Sequence, residues 1–86
     1  MKCSAEINMY PLNANYIELI TLFIKRLKRY SFISLETNAM STQVFGDYDN
    51  VISAIKKEMK TSFLFEQKVV ITIKVINSHL KEKPKI

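Results

Sequence analysis

With 86 residues, 48% of them hydrophobic, the chain has room for one compact domain with a real core and is not a disordered polymer. Its formal net charge of +5 permits an anionic partner, but much of the excess falls in Lys25-Arg26-Leu27-Lys28-Arg29 and in the run Lys81 to Lys85, which read as a solvated helix end and a frayed tail. One cysteine excludes an intramolecular disulfide, and no run approaches the roughly 18 apolar residues of a membrane span, so a soluble, cytoplasmic protein is expected.

Cys3, Ala5, Ile7 and Met9 alternate with Ser4, Glu6, Asn8 and Tyr10, the pattern of a half-buried strand. Pro11 closes that strand, and the asparagines that follow, Asn13 and Asn15, are good helix caps. Between Tyr16 and Tyr30, Ile17, Ile20, Ile24 and Leu27 recur at three- and four-residue steps, predicting an amphipathic helix with Lys25, Arg26, Lys28 and Arg29 off its apolar stripe.

A second strand is expected over Phe32 to Thr37 and a third over Thr42 to Phe45, paired through a turn rich in short hydrogen-bonding side chains: Thr37, Asn38, Ser41 and Thr42. Gly46, the only glycine, ends the third strand, and Asp47 is placed to cap a second helix that carries Val51, Ile52, Ile55 and Met59 inward and runs to about Thr61. Ser62 to Gln67 reads as a short connection. Lys68 to Ile76, rich in β-branched residues, is the strongest strand pattern in the chain, and the segment from Asn77 reads as loosely held.

Strand, helix, strand, strand, helix, strand is the ferredoxin-like α+β order: a four-stranded antiparallel sheet with both helices on one face, as a single domain over residues 1–80 followed by a basic tail, 81–86. The covered face is expected to carry Ala5, Ile7, Met9, Ile33, Leu35, Val44, Ile71, Ile73 and Val75. The open face then carries Ser4, Glu6, Asn8, Tyr10, Ser34, Glu36, Gln43, Phe45, Val70, Thr72, Lys74 and Ile76. That mixture is too apolar for plain solvent, and a domain of this size buries only roughly 60% of its unfolded surface, so self-association is expected.

Catalytic chemistry finds little support. His79 is the only histidine, near the chain end, and one glycine cannot build a phosphate-cradling loop. Cys3 on an apolar strand face reads as a small core residue. RNA binding on the sheet would rest on Phe45 and Tyr10 alone, without the basic-glycine-aromatic strand of RNA-recognition domains, so no nucleic-acid partner is expected. Glu6 and Glu36 share the open face, where either can pair with Lys74 or meet a polar ligand.

Three stretches carry a family resemblance: Ala5-Glu6-Ile7 with Tyr10-Pro11-Leu12, Thr37-Asn38-Ala39-Met40-Ser41-Thr42 running into Val44-Phe45-Gly46-Asp47, and Tyr48-Asp49-Asn50-Val51. Over about Lys2 to Asn77 the chain resembles the small YkoF-like thiamine-binding proteins. The resemblance implies a homodimer or homotetramer that binds thiamine or its hydroxymethylpyrimidine part, without catalysis; no cofactor or metal is expected. An aminopyrimidine offers a donor-acceptor edge to carboxylates, amides and hydroxyls, and a thiazolium favours carboxylates and aromatic faces. The candidate ligand-binding residues are therefore Glu6, Asn8, Tyr10, Glu36, Asn38, Ser41, Thr42 and Phe45. The alternative is a structural or regulatory homo-oligomeric interaction domain with no ligand.

Overall fold

In the computed structural model, which describes residues 1–65 and 68–81, six elements follow in the expected order. They are β1 (Lys2–Pro11), α1 (Tyr16–Leu27), β2 (Ile33–Thr37), β3 (Thr42–Asp47), α2 (Tyr48–Phe65) and β4 (Val69–Ile76). The sheet is antiparallel throughout, in the order β2-β3-β1-β4. This is the ferredoxin-like arrangement, reached because both β-α-β connections return on the same face.

Alternation along β1 sends Cys3, Ala5, Ile7 and Met9 under the helices, where they are buried with Val44 of β3, Phe23 and Leu27 of α1, and Val51, Ala54 and Ile55 of α2. Ile20, Tyr30, Ile33, Leu35, Val69 and Ile71 pack around this cluster. The helices do not reach across the outer half of β4: Ile73 and Val75, expected in the core, remain 36% and 47% exposed. They lie on an edge strand, partnered only by β1 at Ile7 and Ala5.

The periodicity also misplaced several boundaries. α1 stops at Leu27, three residues before Tyr30, and its final carbonyls are taken by tight-turn bonds from the backbone N–H groups of Arg29 and Tyr30 to Arg26 and Leu27. α2 runs on to Phe65 instead of ending near Thr61, so most of the expected connection is helix; Glu66 and Gln67 lie outside the described residues. Ser62, buried and hydrogen-bonded by Arg26 of α1, holds the helix past Thr61, although Phe63, Leu64 and Phe65 are all exposed. Asp47 closes β3 opposite Lys2, its Oδ1 3.5 Å from the lysine Nζ, and the N–H of Tyr48 at the start of α2 donates to the Met1 carbonyl.

Gly46 sits between Cys3 and Ile33 in the ladder at φ +157°, and a Cβ there would lie 3.0 Å from the Phe32 carbonyl oxygen. A close backbone approach, more than a turn, therefore requires the glycine.

The segment after β4 is not frayed at its start. Ser4 Oγ donates to the Ser78 carbonyl at 2.7 Å and accepts the Leu80 N–H at 2.9 Å, so residues 78–80 strap across the open face. His79 packs against Phe45, ring centroids 5.8 Å apart, and Phe45 is 3% exposed. The expected open-face aromatic is thus covered by the chain itself. Of the basic tail, only Lys81 is among the described residues.

Candidate functional site

The β1 ladders are staggered. With β4, pairing runs from Ser4 to Pro11; with β3 it runs only from Lys2 to Ile7. Beyond Ile7 the β3 edge of β1 has no strand beside it among the described residues, because β3 begins at Thr42 and the chain turns away through residues 38–41. Leu12 donates its N–H toward the β4 side at Lys68, so by alternation Met9 directs its N–H and C=O, and Pro11 its C=O, to that vacant side.

A cavity of about 440 Å³ occupies the gap. Asn8, Met9, Tyr10 and Pro11 form one wall and Asn38, Ala39, Met40, Ser41 and Thr42 the opposite one, with Tyr16, Ile20, Phe23 and Ile24 of α1 as the roof. Phe23 and Thr42 are buried; Tyr10 and Tyr16 are each 52% exposed at the mouth, and Met40 is more exposed still. The polar lining is amide and hydroxyl, set among aliphatic and aromatic surfaces, the make-up of a small-molecule site.

The turn that forms the far wall is internally fixed. Asn38 Oδ1 accepts the backbone N–H groups of Met40 at 2.8 Å and Ser41 at 3.1 Å, and the Asn38 N–H donates to the Ser41 carbonyl at 3.1 Å. This is the asparagine-based turn the sequence pointed to. With Oδ1 committed to the turn, the Asn38 amide NH₂ is the end available to a ligand.

Ser41 also ties the turn to the open face: its Oγ donates to Glu6 Oε2 at 3.0 Å, while Glu6 Oε1 lies 3.3 Å from Lys74 Nζ. The Ser41 hydrogen bond, then the bond and charge of Lys74, hold the Glu6 carboxyl below the usual glutamate range, against a smaller opposing effect of burial. Across the sheet the register sets Lys74, Glu6, Gln43 and Glu36 in one row.

Five of the eight residues nominated from sequence, Asn8, Tyr10, Asn38, Ser41 and Thr42, line the cavity together. Glu6 stands outside it, one hydrogen bond away. Phe45, with Glu6, lines a second cavity of about 510 Å³ on the open face, beside Gln43, Lys74, Ile76 and Leu80. Glu36 lines neither. Tyr16, Met40 and the α1 residues of the roof were not nominated; the signal available for them was their place at the first turns of α1 and inside the motif Asn38 to Thr42.

The molecule is thus a ferredoxin-like α+β sandwich with a small-molecule-sized cavity beside its truncated central ladder. The family model described as thiamine-binding protein matches residues 5–84, and the chain belongs to that family. It is 31% identical over 83 residues to UPF0045 protein MJ1052 of Methanocaldococcus jannaschii, covering 94% of this chain and 82% of the relative. The crystal structure of MJ1052 superposes with a TM-score of 0.78, covering 94% of this chain and 84% of that one. A putative thiamine biosynthesis/salvage protein of Thermotoga maritima, TM0486, shares the fold at TM-score 0.81 and 16% identity, covering 91% and 85% of the two chains. SP2199 of Streptococcus pneumoniae does so at 0.84 and 18%, covering 93% and 90%.

Proposed function

We propose that this protein binds thiamine, or its hydroxymethylpyrimidine part, in the cavity between β1 and the turn at residues 38–41. The observation that carries the reading is the vacant β1 edge over Asn8 to Pro11 facing the Asn38-Ser41-Thr42 wall. A strand edge and an amide-hydroxyl wall offer alternating donors and acceptors to the N–H and ring-nitrogen edge of an aminopyrimidine, while Tyr10 and Tyr16 at the mouth offer aromatic faces to a thiazolium. Family membership supports this ligand class. Glu6 acts from outside the cavity by fixing Ser41.

The role is binding, without catalysis, in a cytoplasmic homo-oligomer. Self-association is supported by the apolar surface left on β4, where Val70 and Ile76 on the open face and Ile73 and Val75 on the other are exposed along one edge strand. The exposed mouth residues Tyr10 and Met40 would be closed over by a second subunit. Among the described residues no helix is long and apolar enough to cross a membrane, and no cluster of side chains could hold a metal ion.

Calorimetry with thiamine, hydroxymethylpyrimidine and an unrelated pyrimidine tests the reading. Saturable heat from the first two alone supports it; no heat at millimolar ligand from a folded oligomer favours an interaction domain without ligand.

A further inference from the structure

A third cavity, of about 400 Å³, lies between the C-terminal end of α1 and the middle of α2, lined by Arg26, Arg29, Tyr30, Lys57, Glu58 and Thr61. α1 contributes its first turns to the cavity beside β1 and its last turn here, so the two cavities share no residue. The groove differs in character as well: three cationic side chains and one carboxylate meet in it.

Both oxygens of that carboxylate are hydrogen-bonded. Glu58, 7% exposed, accepts Arg26 Nε–H at 2.9 Å on Oε1 and the Tyr30 hydroxyl at 2.5 Å on Oε2. Arg26 Nη2 donates to Ser62 Oγ at 2.8 Å. The guanidinium is thereby locked in place, its remaining N–H groups make no hydrogen bond among the described residues, and the Glu58 charge is shared between Arg26 and the Tyr30 hydroxyl. The side chains of Arg29 and Lys57, both exposed, make no hydrogen bond or ion pair among the described residues; only their backbone groups do, the Arg29 N–H to Arg26 and the Lys57 carbonyl from Thr61 Oγ1. The dipole of α1 accounts for cations in its last turn, but Lys57 stands in mid-helix, where no dipole end calls for it.

Three cations against one carboxylate leave two positive charges, the complement of a phosphate-type dianion. We propose that this interhelical groove is an anion site, separate from the pyrimidine cavity, that takes the phosphate group of a small phosphorylated molecule or free phosphate, with Arg26 preset by Glu58 and with Arg29 and Lys57 closing on the oxygens.

The test is an NMR titration of arginine side-chain N–H signals with inorganic phosphate, pyrophosphate and a phosphate monoester, each at constant ionic strength set with chloride. The expected result is a saturable shift for at least one of the three, weakened at least about tenfold in the Arg29→Ala/Lys57→Ala double variant, whose substituted side chains are exposed and make no hydrogen bond or ion pair among the described residues. Pyrophosphate or the monoester saturating below inorganic phosphate assigns the site to a phosphorylated molecule; inorganic phosphate saturating first assigns it to the free anion. A linear response equal to that of chloride, or one the double variant leaves intact, overturns the proposal, as does binding of a short RNA with no saturable response to any of the three. Because the readout lies in the groove, thiamine binding neither supports nor weakens it.

Discussion

Ser41 donates to Glu6 across 35 positions of sequence, and that 3.0 Å contact joins the wall of the cavity to the central strand of the open face. Strand pairing at Thr37 and Thr42 and the bonds of Asn38 shape the turn, and Glu6 adds the side-chain contact that ties Ser41 to β1.

Glu6→Gln should therefore weaken ligand affinity by about three- to tenfold while leaving the fold intact, since a neutral amide keeps a weaker hydrogen bond to Ser41 and loses the charge-assisted one. Glu36→Gln, two strands away on β2 and off the cavity lining, should do less. Equal effects of the two would separate Glu6 from the turn. The folded-state pKa of Glu6 is depressed, so its contact is fully present above the ordinary value of 4.5 and is lost only as pH falls through the lower folded value. Affinity should accordingly hold down to pH 4.5 and fall below it.

Gly46→Ala should destabilise the domain by about 1–3 kcal/mol, because its Cβ would meet the Phe32 carbonyl at 3.0 Å with φ at +157°. Chemical denaturation reads this directly; a loss under about 0.5 kcal/mol would mean that β2 yields at no cost.

The Arg26-Glu58-Tyr30 network clamps the two helices. Glu58→Ala leaves Arg26 without its counter-charge and should lower stability by about 2–4 kcal/mol; Tyr30→Phe should lower it by about 1 kcal/mol. Burial, then the Glu58 hydrogen bond and charge, push the Tyr30 hydroxyl up to about 12 from an ordinary 10.0. A raised pKa gives stability that is complete below pH 10 and lost as pH rises through 12, so ultraviolet titration should show one tyrosine ionising near 12, and Glu58→Gln should lower that value.

Ser4→Ala removes both anchors of residues 78–80. Amide exchange at Leu80 should accelerate by at least about tenfold, with a stability loss of about 1–2 kcal/mol. Unchanged exchange at Leu80 would show that the packing of His79 on Phe45 holds the strap by itself.

The order of elements, the alternation of β1 and the Asn38 turn were legible in the sequence because each is a local pattern with a local cause. Where the chain departed from expectation, the cause was tertiary. Phe45 has the period of an open-face residue and is buried because residues 78–80 return over it. Ile73 and Val75 have the period of core residues and are exposed because both helices lie nearer the other strands. Arg26 reads as one more cation at a helix end, and only the approach of α2 shows that it pairs with Glu58. The cavity itself exists because β3 stops pairing at Ile7 while β4 continues to Pro11, a stagger that side-chain alternation does not encode.

The central claim is that the cavity beside β1 holds a pyrimidine. An NMR titration with hydroxymethylpyrimidine, mapped on the backbone amides, tests it most directly. Saturable shifts at Asn8, Tyr10, Asn38, Ser41 and Thr42 are predicted. Shifts confined to Gln43, Phe45, Lys74 and Leu80 around the second cavity, or none at millimolar ligand, would contradict it.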